Sequence, residues 1–191
     1  ELLKTIIAEQ MESIHAKPRG VIRERLAVID NKIRSSHVFV ITGPRRAGKS
    51  TLLFQIMDKY YSKNEYYYFS FDDERLSGFS NEHFNLLLEV FFELFGKRKI
   101  FFLDEVQNAA GWERFISRMH GMDNKFIITG SNANLLSMEL STFLTGRHVD
   151  FVLLPFSFRE YLNFHNVDFS KTPYTTQKKA EIKKYLNLYI E

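Results

Sequence analysis

Polar and apolar positions along the chain follow two periods in turn. Short runs without polar interruption, Val38-Phe39-Val40-Ile41, Tyr66-Tyr67-Tyr68-Phe69 and Ile100-Phe101-Phe102-Leu103, are rich in β-branched and aromatic residues and read as strands buried on both faces. Lys125 to Thr129 and Val149 to Leu154, the latter stopped by Pro155, extend the series. Between the runs, apolar residues recur at helical spacing: Phe84, Leu87, Leu88, Phe91 and Phe95, then Trp112, Phe115, Ile116 and Met119. Ser80 is the expected N-cap of the first of these helices and Gly96 its terminal glycine. Leu86, Val90 and Leu94 make it apolar nearly all round, which predicts burial on several sides or a partner surface.

Two helices precede the first strand, one carrying Leu3, Ile7, Met11 and Ile14, the other Ile22, Leu26, Ile29 and Ile33, with a break at Pro18-Arg19-Gly20. Leu135 to Leu144 reads as wholly or partly helical, and Ser157 with Glu160 forms a capping box that opens another helix. A last helix aligns Ile182, Tyr185, Leu186 and Tyr189. Its other face, Lys178, Lys179, Lys183 and Lys184, reads as solvated, with nucleic-acid contact as the alternative. Strands alternating with helices predict an α/β fold, a parallel sheet with helices on both faces. The expected division is a helical lead-in over 1–35, a core over 36–165 and a helical segment over 166–191.

Composition narrows the chemistry. The 191 residues include no cysteine, which excludes disulfides and Cys-ligated metal sites and fits a reducing cytoplasm. The histidines, His15, His37, His83, His120, His148 and His165, show no metal-ligand spacing. Lys plus Arg is 26 against 23 Asp plus Glu, a net of +3 that is too small to argue for nucleic acid by itself. No apolar run reaches the roughly 18 residues of a membrane helix, and no signal-peptide layout opens the chain. A soluble, cytoplasmic protein is expected. The chain begins at Glu1 and stops within a helical pattern, so it is expected to be a piece of a longer polypeptide.

The candidate chemistry centres on Gly43-Pro44-Arg45-Arg46-Ala47-Gly48-Lys49-Ser50-Thr51, a phosphate-binding loop between the first strand and an apolar helix from about Gly48 to Lys59. Its glycines let backbone N–H groups approach a phosphate at the positive end of the helix. Lys49 then reaches the β- and γ-phosphates, and the Ser50 hydroxyl binds Mg²⁺. In a parallel sheet, ligands bind at the carboxyl ends of the strands. The polar clusters Asp72-Asp73, Asp104-Glu105 and Ser131-Asn132 all follow strands. Asp104 is expected to hold Mg²⁺ and Glu105 to activate an attacking water. Ser131 and Asn132, with Thr129 behind them, are candidates to sense the γ-phosphate. Arg147 is a candidate to stabilise developing phosphate charge in cis or from a neighbouring subunit. Arg19, Ile22 and Arg23 are the lead-in residues placed to pack beside a nucleotide base.

The ordered runs ITGPRRAGKSTLL, FFLDEVQNAAGW, FIITGSNANLLS and LTGRHVDFVLLPFSFREYL, with YYYFSFDDERL, resemble the ATPase module of an archaeal and bacterial group within the AAA+ superfamily. The resemblance covers about residues 20 to 165. It implies a three-layer P-loop NTPase (RecA-like/AAA+) of sheet order 5-1-4-3-2 and ATP with Mg²⁺. It implies catalytic roles for Lys49, Ser50, Asp104 and Glu105, with Ser131 as sensor and Arg147 as a functional arginine. Ser50 stands where Thr is more usual and keeps the hydroxyl. Members of the group continue into a C-terminal domain of unknown function, which is expected to follow this chain.

The expected function is ATP binding and Mg-dependent hydrolysis that moves an attached domain or partner, with a relation to DNA left open. The alternative is a nucleotide-controlled switch or scaffold with slow hydrolysis. A small-molecule kinase is disfavoured because the Asp-Glu pair suits water as acceptor. ATP and ADP are the expected ligands. Homo-oligomerisation is expected from Arg147 and the apolar helix over 81–95, and a protein partner remains unidentified.

Overall fold

Each apolar run forms a strand, and all of them pair in parallel. β1 (Val38–Thr42), β2 (Tyr66–Ser70), β3 (Ile100–Asp104), β4 (Lys125–Gly130) and β5 (His148–Val152) make one five-stranded sheet in the order β2-β3-β4-β1-β5. This is the expected 5-1-4-3-2 order counted from the opposite edge. The structure, a computed structural model, describes residues 1–22, 26, 29–131, 142–144, 146–170 and 173–190. It divides into two compact units, Glu1–Leu153 and Leu154–Glu191.

In the first unit, α1 (Leu2–Ala16) buries Ile6, Ile7, Met11 and Ile14. It also caps the carboxyl end of the outer edge of β2, where backbone groups would otherwise be open to other chains. Gln10 Nε2 donates to the Ser70 carbonyl at 3.0 Å, and the Ser70 N–H donates to Gln10 Oε1 at 2.8 Å. Of the second lead-in segment, α2 (Asp30–Arg34) is described, while residues 23–25, 27 and 28 lie outside the described residues. Leu26, Ile29 and Ile33 are buried, whereas Ile22 is 72% exposed. Asp30 anchors α2 to the helix after β1, accepting from the Tyr60 hydroxyl and from Lys59 Nζ. These two donors hold its carboxyl down at about 2.

The central strands are buried on both faces because helices cover each. α3 (Lys49–Tyr60) lies on one side, with Phe54 edge-on to Tyr68 of β2 at 5.6 Å. α4 (His83–Phe95) and α5 (Trp112–His120) lie on the other. There Tyr67 stacks on Phe91 at 4.5 Å, and Phe101 of β3 stacks on Phe126 of β4 at 4.9 Å beneath Phe115. Aromatic pairs of this kind add to the area term that holds the layers together.

One local expectation changes. α4 begins at His83, because the Ser80 N–H donates to His83 Nδ1 at 3.1 Å and Ser80 closes the turn before the helix. Its Phe84, Leu87, Leu88, Val90 and Phe91 are buried, while Leu86, Phe92 and Leu94 stay exposed, so one side of α4 is open in this chain. Gly96 ends α4 as expected, at a φ of 71° with its N–H bonded to Phe92. Of the segment from Leu135 to Leu144, residues 135–141 lie outside the described residues.

In the second unit, the Ser157–Glu160 capping box opens α6 (Phe158–Phe164). Its Phe158 and Tyr161 pack on Tyr189 of α7 (Thr176–Ile190), whose hydroxyl donates to the Phe156 carbonyl at 2.6 Å. Among the described residues no helix is long and apolar enough to cross a membrane.

Candidate functional site

The loop after β1 takes a path that its glycines permit. Gly43 has a φ of 148°, and a Cβ there would lie 2.1 Å from the Leu153 carbonyl oxygen. The Leu153 N–H bonds the Thr42 carbonyl at 2.7 Å, so the chain leaving β5 presses directly against the loop. Gly48, at a φ of 89°, then turns the backbone into α3. Lys49 is the first residue of that helix and its side chain is buried, with Nζ donating to the Pro44 carbonyl at 3.3 Å.

Two strands away, β3 delivers Asp104 and Glu105. Asp104 is 4% exposed. It accepts from the Thr129 hydroxyl on β4 and is hydrogen-bonded to the Ser50 hydroxyl at the start of α3. Burial pushes its carboxyl above the ordinary range and the Glu105 charge adds to this, while the Thr129 and Ser50 hydrogen bonds work the other way. Glu105 holds a left-handed backbone, φ 51°, and its N–H donates to Thr129 Oγ1 at 3.0 Å. One threonine thus fixes both members of the acidic pair.

The Glu105 side chain turns back toward the phosphate loop. Its Oε1 lies 3.3 Å from Lys49 Nζ, and its Oε2 accepts from Gln107 Nε2 at 2.6 Å. Gln107 Nε2 also lies 3.3 Å from Ser131 Oγ. A cleft of about 340 Å³ opens between Arg45, Arg46, Lys49, Asp72, Glu105, Gln107 and Asn108. Ser50 and Asp104 supply hard oxygen donors that suit Mg²⁺. Among the described residues no group of three His, Cys, Asp or Glu could cage a metal, so an ion here would complete its shell with phosphate and water.

Of the sequence candidates, the structure brings together the loop Gly43 to Thr51, Asp104, Glu105 and Ser131. Asn132 and Arg23 lie outside the described residues. Arg147 is not brought into the cleft. Its carbonyl accepts from the Val38 N–H at 3.0 Å, which places it at the amino ends of β1 and β5. The phosphate loop lies at the other end, roughly 13 Å along the strand for four residue steps. Arg19 instead bonds Asp58 and the Ile14 carbonyl and lies over the Phe54 ring, so it braces α3. Of the acidic exit after β2, Asp72 lines the cleft, whereas Asp73 caps a 3-10 turn and binds Arg75.

Gln107 and Asn108 line the cleft without being singled out by the sequence pattern, and Gln107 is the one that touches Glu105. The only signal is an amide two positions after Glu105, and its meaning depends on the 3-10 turn Val106–Asn108 folding it back.

The profile of a family described as AAA domain matches residues 35–162. An uncharacterized protein of Methanocaldococcus jannaschii is 37% identical over 191 residues, 100% of this chain and 41% of its own. An uncharacterized protein of Haemophilus influenzae is 34% identical over 152 residues, 76% of this chain and 38% of its own. The chain therefore spans about two fifths of the length of the curated relatives it matches. Among solved structures, AMPPCP-bound DnaA from Aquifex aeolicus aligns with a TM-score of 0.46 at 15% identity, covering 86% of this chain and 58% of that one.

Proposed function

The chain belongs to this AAA domain family, and from that premise we propose that its cleft binds ATP with Mg²⁺ and hydrolyses it. The observation that carries the reading is the approach of Lys49 Nζ to Glu105 Oε1 at 3.3 Å. A cation suited to phosphate and a carboxylate suited to water thereby share one mouth of the cleft.

In this reading the backbone N–H groups of Gly43 to Thr51 cradle the β-phosphate and Lys49 leaves Glu105 for the β- and γ-phosphates. Arg45 and Arg46 add positive charge at the rim. Ser50 and Asp104 hold Mg²⁺, which neutralises phosphate charge when bound. Glu105 takes a proton from the attacking water, and Ser131 faces the γ-phosphate, with Asn132 as its neighbour in that role.

Arg147 acts in trans, on the γ-phosphate of a neighbouring copy, because within one chain it sits at the wrong end of the sheet. Hydrolysis drives a conformational change of an attached domain or of a protein partner. The core over 36–165, the lead-in over 1–35 and the segment over 166–191 are the proposed divisions, and a cytoplasmic setting is the proposed location.

The deciding experiment compares MgATP binding and single-turnover hydrolysis in Glu105→Gln and Lys49→Ala. The first should bind ATP and fail to cleave it, and the second should fail to bind. Turnover retained by Glu105→Gln would remove Glu105 as the base. Slow wild-type turnover that DNA or a protein fails to accelerate would favour a nucleotide-controlled switch.

A further inference from the structure

The Glu105 carboxylate has two holders among the described residues, and they differ in what nucleotide would do to them. Lys49 holds Oε1 at 3.3 Å, and Gln107 holds Oε2 at 2.6 Å. The orientation of the Gln107 amide is fixed by chemistry, since its oxygen could not face an acceptor-only carboxylate. Both amide hydrogens have partners, one in Glu105 and the other in Ser131 Oγ at 3.3 Å. Its Oε1 is buried and has no hydrogen-bond partner among the described residues.

We infer that Gln107 is a positioning residue for hydrolysis: it keeps the Glu105 carboxylate aimed at the attacking water after Lys49 has moved to the phosphates, and it ties that carboxylate to Ser131. This rests on the reading of the cleft as an ATP site with Glu105 as base.

Thr129 fixes only the backbone of Glu105. Once a triphosphate draws Lys49 away, Oε1 is released to accept a proton and Gln107 is the remaining hold on the side chain. The water O–H bond breaks toward Glu105 Oε1 while its oxygen bonds the γ-phosphorus. The bond from that phosphorus to the bridging oxygen breaks, and its electron pair leaves with ADP. The proton then passes to the released phosphate. A carboxylate free to swing at that moment loses the alignment on which such a transfer depends. Ser131 follows β4 and Gln107 follows β3, so the shared amide makes the base and the phosphate-facing hydroxyl of two strands move as one.

The test uses Gln107→Met, which keeps length and apolar volume but removes both donors, and Gln107→Glu, which keeps shape and turns attraction into repulsion. Thermal melts establish that each is folded, and MgATP affinity and single-turnover rate are measured separately. Both variants should hydrolyse bound MgATP about 10- to 100-fold more slowly, and Gln107→Met, which adds no charge to the cleft, should bind it within about threefold of wild type. The double variant Glu105→Gln/Gln107→Met should be no slower than Glu105→Gln alone, because Gln107 acts through Glu105. An unchanged rate in Gln107→Met, or a loss confined to affinity, overturns the role of Gln107 and leaves the ATPase reading standing. A wild-type protein that neither binds nor cleaves MgATP overturns both.

Discussion

Lys49 Nζ and Glu105 Oε1 lie 3.3 Å apart with side-chain exposures of 4% and 19%, joining the first residue of α3 to the residue after β3 across the intervening β4. A pair so far withdrawn from water is worth more than a surface ion pair, yet each partner has a competing task. Lys49 cannot hold a phosphate at full strength while it faces Glu105. Neutralising Glu105 should therefore tighten nucleotide binding. Glu105→Gln should lower the Kd for MgADP by about three- to tenfold, the equivalent of on the order of 1 kcal/mol. Titration calorimetry decides this, and an unchanged or weaker affinity would mean that the pair does not compete with nucleotide.

Gly43 and Gly48 both have positive φ, but they differ in surroundings. A Cβ on Gly43 would meet the Leu153 backbone at 2.1 Å, and the hydrogen bond from Leu153 to Thr42 prevents easy retreat. At Gly48 nothing lies within 4 Å. Gly48→Ala should cost only the left-handed penalty of about 1–2 kcal/mol. Gly43→Ala should exceed about 4 kcal/mol, in the range reserved for severe core damage. Denaturant midpoints of the two variants give the comparison, and equal values would show that the approach of Leu153 is not what requires glycine at 43.

Much of this arrangement is legible in the chain before any coordinates. Continuous apolar runs locate the strands because parallel strands are covered twice, and polar residues that end such runs must gather at one edge of the sheet. That reasoning finds Lys49, Asp104, Glu105 and Ser131. It also holds the information that separates Arg147: a residue preceding a parallel strand lies at the edge opposite the one where Gly43 to Thr51 follow β1. The apolar spacing of Ile22, Leu26, Ile29 and Ile33 does not reveal that Ile22 stays exposed while the other three are buried, since which positions of the stripe are covered is set by the elements packed on it. Gln107, Gln10 and Arg19 are illegible for a different reason. Their roles are contacts with Ser131, Ser70 and Asp58, set by tertiary packing and not by local period.

Thr129 joins the acidic pair through one buried hydroxyl, which donates to Asp104 and accepts from the Glu105 N–H. Thr129→Val preserves shape but leaves the part-buried Glu105 N–H without its acceptor and the buried Asp104 carboxyl with the Ser50 hydroxyl but without the Thr129 one. Each such loss costs about 1–3 kcal/mol, so the variant should be about 2–6 kcal/mol less stable. Thr129→Ser keeps the hydroxyl and should lose about 1 kcal/mol for its methyl group. Chemical denaturation of the two ranks them, and a valine variant as stable as the serine one would show that the hydroxyl contributes no net stability.

Lys125 opens β4 with its Nζ 2.6 Å from the carbonyls of both Ser35 and His37, among Ile33, Tyr61 and Ile100. Burial pushes its ammonium down to about 8. A neutral amine still has two hydrogens, enough for both carbonyls, so deprotonation need not break the contact. The folded value lies below the unfolded one near 10.4, so between these limits the unfolded chain binds more protons. Stability contributed by Lys125 should be lowest below pH 8, where the folded state carries the buried charge, and should rise as pH climbs from about 8 toward 10.4. Lys125→Met removes the titration while filling the same space. The stability difference between wild type and Lys125→Met, measured by urea unfolding at pH 7, 8, 9 and 10, should shift toward wild type with rising pH. A difference that stays flat, or shifts the other way, would show that the two carbonyls stabilise the charged ammonium enough to cancel the effect of burial.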